Sequence, residues 1–447
     1  MLPDIGGGPV QAGQMVQWIC SADGMMDPSS LCFEGKFEFL DVNGNVVSSS
    51  DNARILAPGP WSAINQFDIY AGNDEVSSSK NYSVMHSIVH KYGMDDVNAD
   101  LHQYVSGADA YPAFGIYSNS ARNKIPGTRS GDQVLFCPLV GLTAQTQYVP
   151  LPFLKNVGFV FRITLEQAAN CMYLPAGTAA VSYRWSEPRM RYRITEPNPE
   201  LFAAAQAAWI QGSYALDLNS YDWFPYSGKA AAGTETIVLT DQASNVQAMF
   251  WIVRETIKST NDPLRNVRWF SPLYGTSGNA TTTGQAQIEI NGTLYPERPM
   301  TWSRGRTEEV YYLFADAMRS IKAVPNQMMN VFVDRHASDR TYSLMSVEDN
   351  YRSGLVDSCV MGMRFDAFTT AESNAILSGP DTRSAAGRIA LTLTHEAFTS
   401  FFSKTSGGAF NDTYTTQFTN ETNLTWDFIV VTKRRILMTP DGVTTIL

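Results

Sequence analysis

His86 and His90 stand four residues apart in a run that reads as helix, with Asp95 and Asp96 close behind. Two histidines at that spacing share a helix face and can ligate zinc, but a zinc site needs a third ligand and a hydrolytic one also a glutamate base. Neither stands at a firm spacing here, so a partly exposed helical or interface pair is the favoured reading. His102, His336 and His395 are isolated and read as surface or hydrogen-bonded residues. Adjacent carboxylates occur at Asp74 with Glu75, Asp95 with Asp96 and Glu308 with Glu309. Sequence neighbours in turns and helix starts do not provide the opposed acid and base of a glycosidase. No serine has an evident activating partner, and the G-x-S-x-G elbow is absent. Gly6-Gly7-Gly8 lacks the lysine and hydroxyl residue of a phosphate loop and reads as part of a flexible arm. Catalytic, cofactor-binding and metal-ligating residues are therefore all expected to be none.

Five cysteines, Cys20, Cys32, Cys137, Cys171 and Cys359, are odd in number and scattered, which favours thiols in a reducing compartment over a disulfide framework. Cys137, between Phe136 and Pro138, reads as core packing rather than as a nucleophile. Arg184, Arg189, Arg191 and Arg193 alternate with Met190, Tyr192 and Ile194 along a strand-like run, and Lys433-Arg434-Arg435 form a second basic cluster. Either could meet nucleic acid. The 447 residues carry 43 acidic against 33 basic side chains, however, a net charge of -10. Pairing with acidic loops of neighbouring subunits, or a solvated sheet face, is the favoured reading. Tyrosines in 111–117 and 221–226 could anchor an interface or stack on sugar.

The elements that must position these residues are mostly strands. With 44% hydrophobic and 17% charged residues, the chain is globular, and its length suits two domains or one large one. Short aromatic and β-branched runs recur between Gly, Asn, Asp and Pro: 31–40, 61–70, 133–140, 157–165, 236–239, 248–253, 286–290, 330–333, 362–368, 388–393 and 424–431. Val157, Phe159, Phe161 and Ile163 share one face, and Ile288 and Ile290 oppose Gln287, Glu289 and Asn291, the period of a half-buried strand. Asp41 to Asn45 and Asn291-Gly292 have hairpin-turn composition. Helices are expected only at 81–92, 199–210 and 307–321, the second opened by Asn198 and Pro199 and the third by two glutamates. The segments 93–129 and 256–283 read as long connections. The N-terminus does not read as a signal peptide, and no apolar run approaches the roughly 18 residues of a membrane span. The sequons at Asn279, Asn291, Asn411, Asn420 and Asn423 read as chance tripeptides in an Asn/Thr-rich chain.

Two stretches resemble a known family. Trp61-Ser62-Ala63-Ile64-Asn65-Gln66-Phe67-Asp68-Ile69-Tyr70-Ala71-Gly72-Asn73-Asp74-Glu75-Val76, followed by Tyr82 and the helix-like 84–92, is similar to the first-domain signature of double jelly-roll major capsid proteins of double-stranded DNA viruses. The likeness is to the polinton-like virus, adintovirus and virophage branch. Residues 122–136, then Tyr148-Val149-Pro150-Leu151-Pro152-Phe153-Leu154 leading into 157–165, resemble that family's proline-marked entry into a strand of the first roll. Ile290-Asn291-Gly292 with Tyr295-Pro296 is similar to its second domain. The resemblance implies an all-β double jelly roll, two antiparallel eight-stranded β-sandwiches with a few short helices in loops. The expected division is a flexible N-terminal arm at 1–13, a first roll at 14–197, a helical linker at 198–212 and a second roll at 213–447. It implies no enzyme and no cofactor. It implies a homotrimeric, pseudo-hexagonal capsomer tiling an icosahedral virion capsid assembled in a host cell. Neighbouring capsomers, minor capsid or penton proteins and an inner membrane are the expected partners, with the arm touching one of them. The competing readings are a carbohydrate- or receptor-binding sandwich of the spike or penton kind, and a β-sandwich glycoside-active enzyme.

Overall fold

The computed structural model describes residues 8–48, 53–56, 60–93, 127–138, 148–155, 158–174, 177–212, 214–228, 233–240, 243, 245–255, 269–270, 284–302, 308–321, 360–366, 379–383, 388–395, 399–400, 403–405, 413–415, 419–420, 424–440 and 442–446. In the first half the principal strands are β1 (Val10–Gln11), β2 (Met15–Cys20), β3 (Met25–Leu40), β4 (Ile64–Ala71), β5 (Asp74–Lys80), β6 (Gln133–Phe136), β7 (Phe159–Leu165) and β8 (Ser182–Thr195). Helix α1 (Tyr82–Gly93) follows β5, and α2 (Pro199–Ile210) leads out of this half. The second half contributes β9 (Tyr214–Gly228), β10 (Gly233–Leu239), β11 (Val246–Glu255), β12 (Gly284–Ile290), β13 (Thr293–Trp302), β14 (Met361–Arg364), β15 (Ile389–His395) and β16 (Leu424–Thr439). Its helix α3 (Glu308–Ser320) follows β13, the place that α1 has after β5. Among the described residues no helix is long and apolar enough to cross a membrane.

Pairing within each half follows one plan. In the first, β1-β8-β3-β6 form one sheet and β2-β7-β4-β5 the other; in the second, the corresponding orders are β9-β16-β11-β14 and β10-β15-β12-β13. Counted within its own half, each set runs first-eighth-third-sixth and second-seventh-fourth-fifth. That interleaving of early with late strands is the jelly roll, and the chain folds as two of them. The expected all-β double jelly roll is the fold observed.

Alternation makes each sandwich. β7 buries Phe159, Phe161, Ile163 and Leu165 and turns Val160, Arg162 and Thr164 outward; β12 alternates in the same way. Trp18, Phe33, Phe37, Phe136 and Trp185 fill the first core with interlocking rings, Phe37 stacked on Trp185 at 5.9 Å. Gly35 allows this: a Cβ there would stand 2.0 Å from Trp185 Nε1. Asn291 and Gly292, at φ of 51° and 83°, close β12 onto β13, while the Asp41 carboxylate accepts from the backbone N–H groups of Asn43 and Asn45 at 2.8 Å each.

The rolls share a sheet. β5 of the first lies parallel to β9 of the second, with Tyr221 opposite Ser79, so β2-β7-β4-β5 runs on into β9-β16-β11 as part of a ten-stranded sheet. Period two along that sheet separates the cores. Phe250, Ile252, Ile429 and Val431 join the first roll's apolar cluster together with Phe314, Ala317 and Met318 of α3 and Ile321 just beyond it. Their neighbours Met249, Trp251, Phe428 and Val430 belong to the second roll's cluster.

The structure modifies several expectations. The run 61–70 opens with a 3-10 turn over Pro60–Ala63 before β4 begins. Val10–Gln11, inside the segment expected as an arm, pairs with Trp185 and Arg184 of β8; residues 1–7 lie outside the described residues. The expected strand at 330–333 and most of the long connections lie outside them too. Strands β5, β9 and β13 were not expected as such. β5 reads Asp-Glu-Val-Ser-Ser-Ser-Lys, poor in strand formers, and β13 contains two prolines, tolerable because it is an edge strand.

Candidate functional site

The two-histidine motif is divided between core and undescribed residues. His86 is completely buried on α1, its ring stacked on Trp61 at 4.4 Å and its Nδ1 2.9 Å from the Tyr82 hydroxyl. The helical placement is as expected, since His86 and His90 both lie on α1, but His86 is not partly exposed: its imidazole serves as a core aromatic. The side chain of His90 and all of Asp95, Asp96, His102 and His336 lie outside the described residues. His395 is neither isolated nor on the surface: it is buried in the second roll, Nε2 3.9 Å from Glu235 Oε1 and its ring 5.7 Å from that of Trp426. Among the described residues no cluster of three His, Cys, Asp or Glu could hold a metal ion.

The paired carboxylates have structural partners. Glu75 meets Arg434 at 3.5 Å, and Glu309 Oε2 accepts the Thr301 backbone N–H at 3.1 Å. The Glu308 side chain is outside the described residues. Cys137 is not core packing: it follows β6, is half-buried, and stands at the end of the register that pairs β6 with β3.

Both basic clusters pair with acids of the same chain, and Arg189, Arg191 and Arg193 stay exposed on β8, in keeping with the solvated sheet face that was one of the two expected readings. Register sets Arg184 opposite Glu38, Arg189 opposite Glu34 and Arg193 opposite Asp27. Arg184 Nε meets Glu38 at 2.8 Å, and Arg191 Nη2 meets Glu34 at 2.6 Å. The Ser186 hydroxyl and Arg184 both donate to Glu38, holding its carboxyl below the ordinary range. On β16, Arg435 forms a two-toothed pair with Asp217 at 2.8 and 3.0 Å. Burial depresses the Lys433 ammonium, which lies 3.8 Å from the same carboxylate. The tyrosines of 221–226 are not exposed anchors either. Tyr221 is fully buried, Tyr226 packs against the second core, and between them Trp223 Nε1 donates to Asp427 at 2.8 Å. Residues 111–117 are outside the described residues.

The arrangement that distinguishes this molecule is the seam between the rolls. Small polar side chains occupy it, because a second strand must approach closely and bring its backbone groups with it. Ser77 Oγ donates to the Asn219 carbonyl at 2.7 Å. The Ser220 hydroxyl accepts from the Ser78 N–H and donates to the Ser78 carbonyl, both at 3.1 Å. Asn219 Nδ2 reaches the Ile321 carbonyl just beyond α3 at 3.4 Å. Arg434 spans the seam from β16, meeting Glu75 of β5 at 3.5 Å and Asp222 of β9 at 3.8 Å. Burial raises the Asp222 carboxyl while Arg434 opposes the rise. Sequence reading passed over these residues: a serine triplet in a polar run carries no signal of burial, and the partners lie about 140 residues away.

Such a molecule is a double jelly roll whose two sandwiches are joined edge to edge. Solved structures share that fold across almost the whole chain. PBCV-1 VP54, as fitted into a cryo-EM reconstruction of the virophage Sputnik, superposes with a TM-score of 0.55 at 11% identity, covering 98% of this chain and 94% of that one. The quasi-atomic structure of the PBCV-1 virus capsid gives 0.54 at 11% identity, with the same coverage. Neither a family model nor a curated protein matches the sequence.

Proposed function

We propose that the chain is a viral major capsid protein, a structural protein of the virion without a catalytic step. One observation carries this reading: two sandwiches with the same strand order share one continuous sheet, one face of each roll running on into the other. A folded unit of that kind presents two similar packing bodies, so three copies around an axis present six and approximate a hexagonal tile. One of the structures that share the fold is that of the PBCV-1 virus capsid, which supports the same conclusion. Residues 10–197, opening with β1 on β8, and 213–447 would be the two packing bodies and 198–212 the link; a neighbouring capsomer, a minor or penton protein, or an inner membrane would be their partners. The long connections of each roll would supply lateral contacts large enough for a permanent interface. Assembly would take place in the host cell.

Light scattering on the purified native protein, followed by negative-stain imaging of the same fraction, tests the reading. A trimer with a pseudo-hexagonal outline, or spontaneous sheets and shells, is the expected result. A monomer or a pentamer across several salt concentrations would overturn it and favour the receptor-binding or penton alternative.

A further inference from the structure

Cys32 lies on β3 and Cys137 one residue beyond β6. These strands pair antiparallel, with Phe33 opposite Phe136 and Glu34 opposite Leu135, so the next step of the register sets Cys32 opposite Cys137. Residues directly opposite in an antiparallel pair have Cα atoms about 4.5–5.5 Å apart, inside the roughly 4.4–6.8 Å that a disulfide spans. Phe33 and Phe136 on the same strands point into the core, so the pair lies on the outer face, and both cysteines are half-buried rather than sealed. By contrast Cys20 and Cys171 are buried, each beside a tyrosine, Tyr192 and Tyr183 respectively.

We propose that Cys32 and Cys137 form an oxidisable dithiol that closes reversibly to a disulfide, stapling the edge strand β6 to β3. The charged groups facing it are Arg191, opposite Cys32 on β8, and Glu34 on β3, joined to each other at 2.6 Å. The Cys137 thiol beside it, with Arg191 nearby, holds the Cys32 thiol down to about 7, while Cys32 in turn raises Cys137. Cys32 is therefore the attacking sulfur and Cys137 the resolving one. With a small-molecule disulfide such as oxidised glutathione as oxidant, the Cys32 thiolate attacks one sulfur and expels one glutathione thiolate. Cys137 then loses its proton to solvent and attacks Cys32 Sγ in the mixed disulfide, expelling the second. Two protein thiols are oxidised, one glutathione disulfide is reduced to two thiols, and solvent carries the protons. The inference rests on the pairing of β3 with β6 and stands independently of the capsid reading.

The full chain, purified under reductant and desalted, is exposed to oxidised glutathione, quenched with N-ethylmaleimide and mapped by non-reducing peptide mass spectrometry. The expected product joins the Cys32 and Cys137 peptides, with the loss of two alkylatable thiols per chain and full recovery on adding dithiothreitol. The rate should rise with pH through about 7, below the roughly 8.5 of an ordinary thiol. C137S should stall as a glutathione adduct on Cys32, and C32S should leave Cys137 unmodified. Alkylation of both sulfurs after exposure, in a chain whose circular dichroism is unchanged, would overturn the proposal. So would a map in which Cys32 is joined only to other chains.

Discussion

Removing a single oxygen from the seam should weaken the whole molecule. In Ser220→Ala the Ser78 N–H loses its acceptor at 3.1 Å and the Ser78 carbonyl loses its donor at the same distance. Ser78 and Ser220 are both buried, so water does not replace the hydroxyl. A buried backbone group left without a partner costs about 1–3 kcal/mol. Two such groups, partly relaxed, give an expected loss of about 2–4 kcal/mol. For domains of roughly 150–250 residues that corresponds to a fall of roughly 4–16 °C in the unfolding midpoint. Calorimetry on S220A beside the parent chain measures it. Thr234→Ala is the control: its hydroxyl also bonds across strands, to Thr394 at 2.9 Å, but on an exposed face, and its loss should stay within about 0.5 kcal/mol. If S220A falls within that same margin, the seam hydroxyl is not bridging the two rolls and the reasoning fails.

Gly35→Ala drives a methyl group to 2.0 Å from Trp185 Nε1, so overpacking of about 1–3 kcal/mol is expected, with a perturbed near-ultraviolet tryptophan spectrum as the readout. The depressed carboxyl of Glu38 stabilises the fold above the unfolded carboxylate pKa, and that contribution drains away as pH falls through its lower folded value. The urea midpoint of Glu38→Gln should accordingly vary less than the parent's across that acid range; an unchanged slope would refute the assignment. Because Arg184, Arg189, Arg191 and Arg193 face Glu38, Glu34 and Asp27, fluorescence anisotropy should find no salt-sensitive binding of duplex DNA to the native protein. The double substitution E34Q/E38Q should create it.

The fold was legible where burial follows a simple period. The alternation of Phe159, Phe161 and Ile163 marked β7, and Asn198 with Pro199 marked the start of α2, where the Asn198 side chain accepts from the Glu200 N–H at 2.9 Å. Helices α1 and α3 began and ended within a residue or so of the expected limits. The repetition of the strand plan was not legible, because topology repeats here without side chains repeating. The seam was hidden for another reason: Ser77, Ser78 and Ser220 are buried to satisfy backbone groups, the reverse of the rule that equates burial with apolar character. The acids that pair with the basic stripe of β8 were not legible, because they are about 150 residues away in sequence and adjacent only through register.

The parallel contact between β5 and β9 bears on how the chain tolerates cutting. A nick in α2, whose residues are exposed or only half-buried, would leave two fragments still gripping each other through main-chain bonds, and they should copurify. Expressing either half alone is a different experiment. The first would end its sheet in the bare rim of β5 and the second in that of β9, each a template for any passing strand. Separate halves should therefore clump or recruit each other, and mixing them during refolding is the practical route to a soluble product.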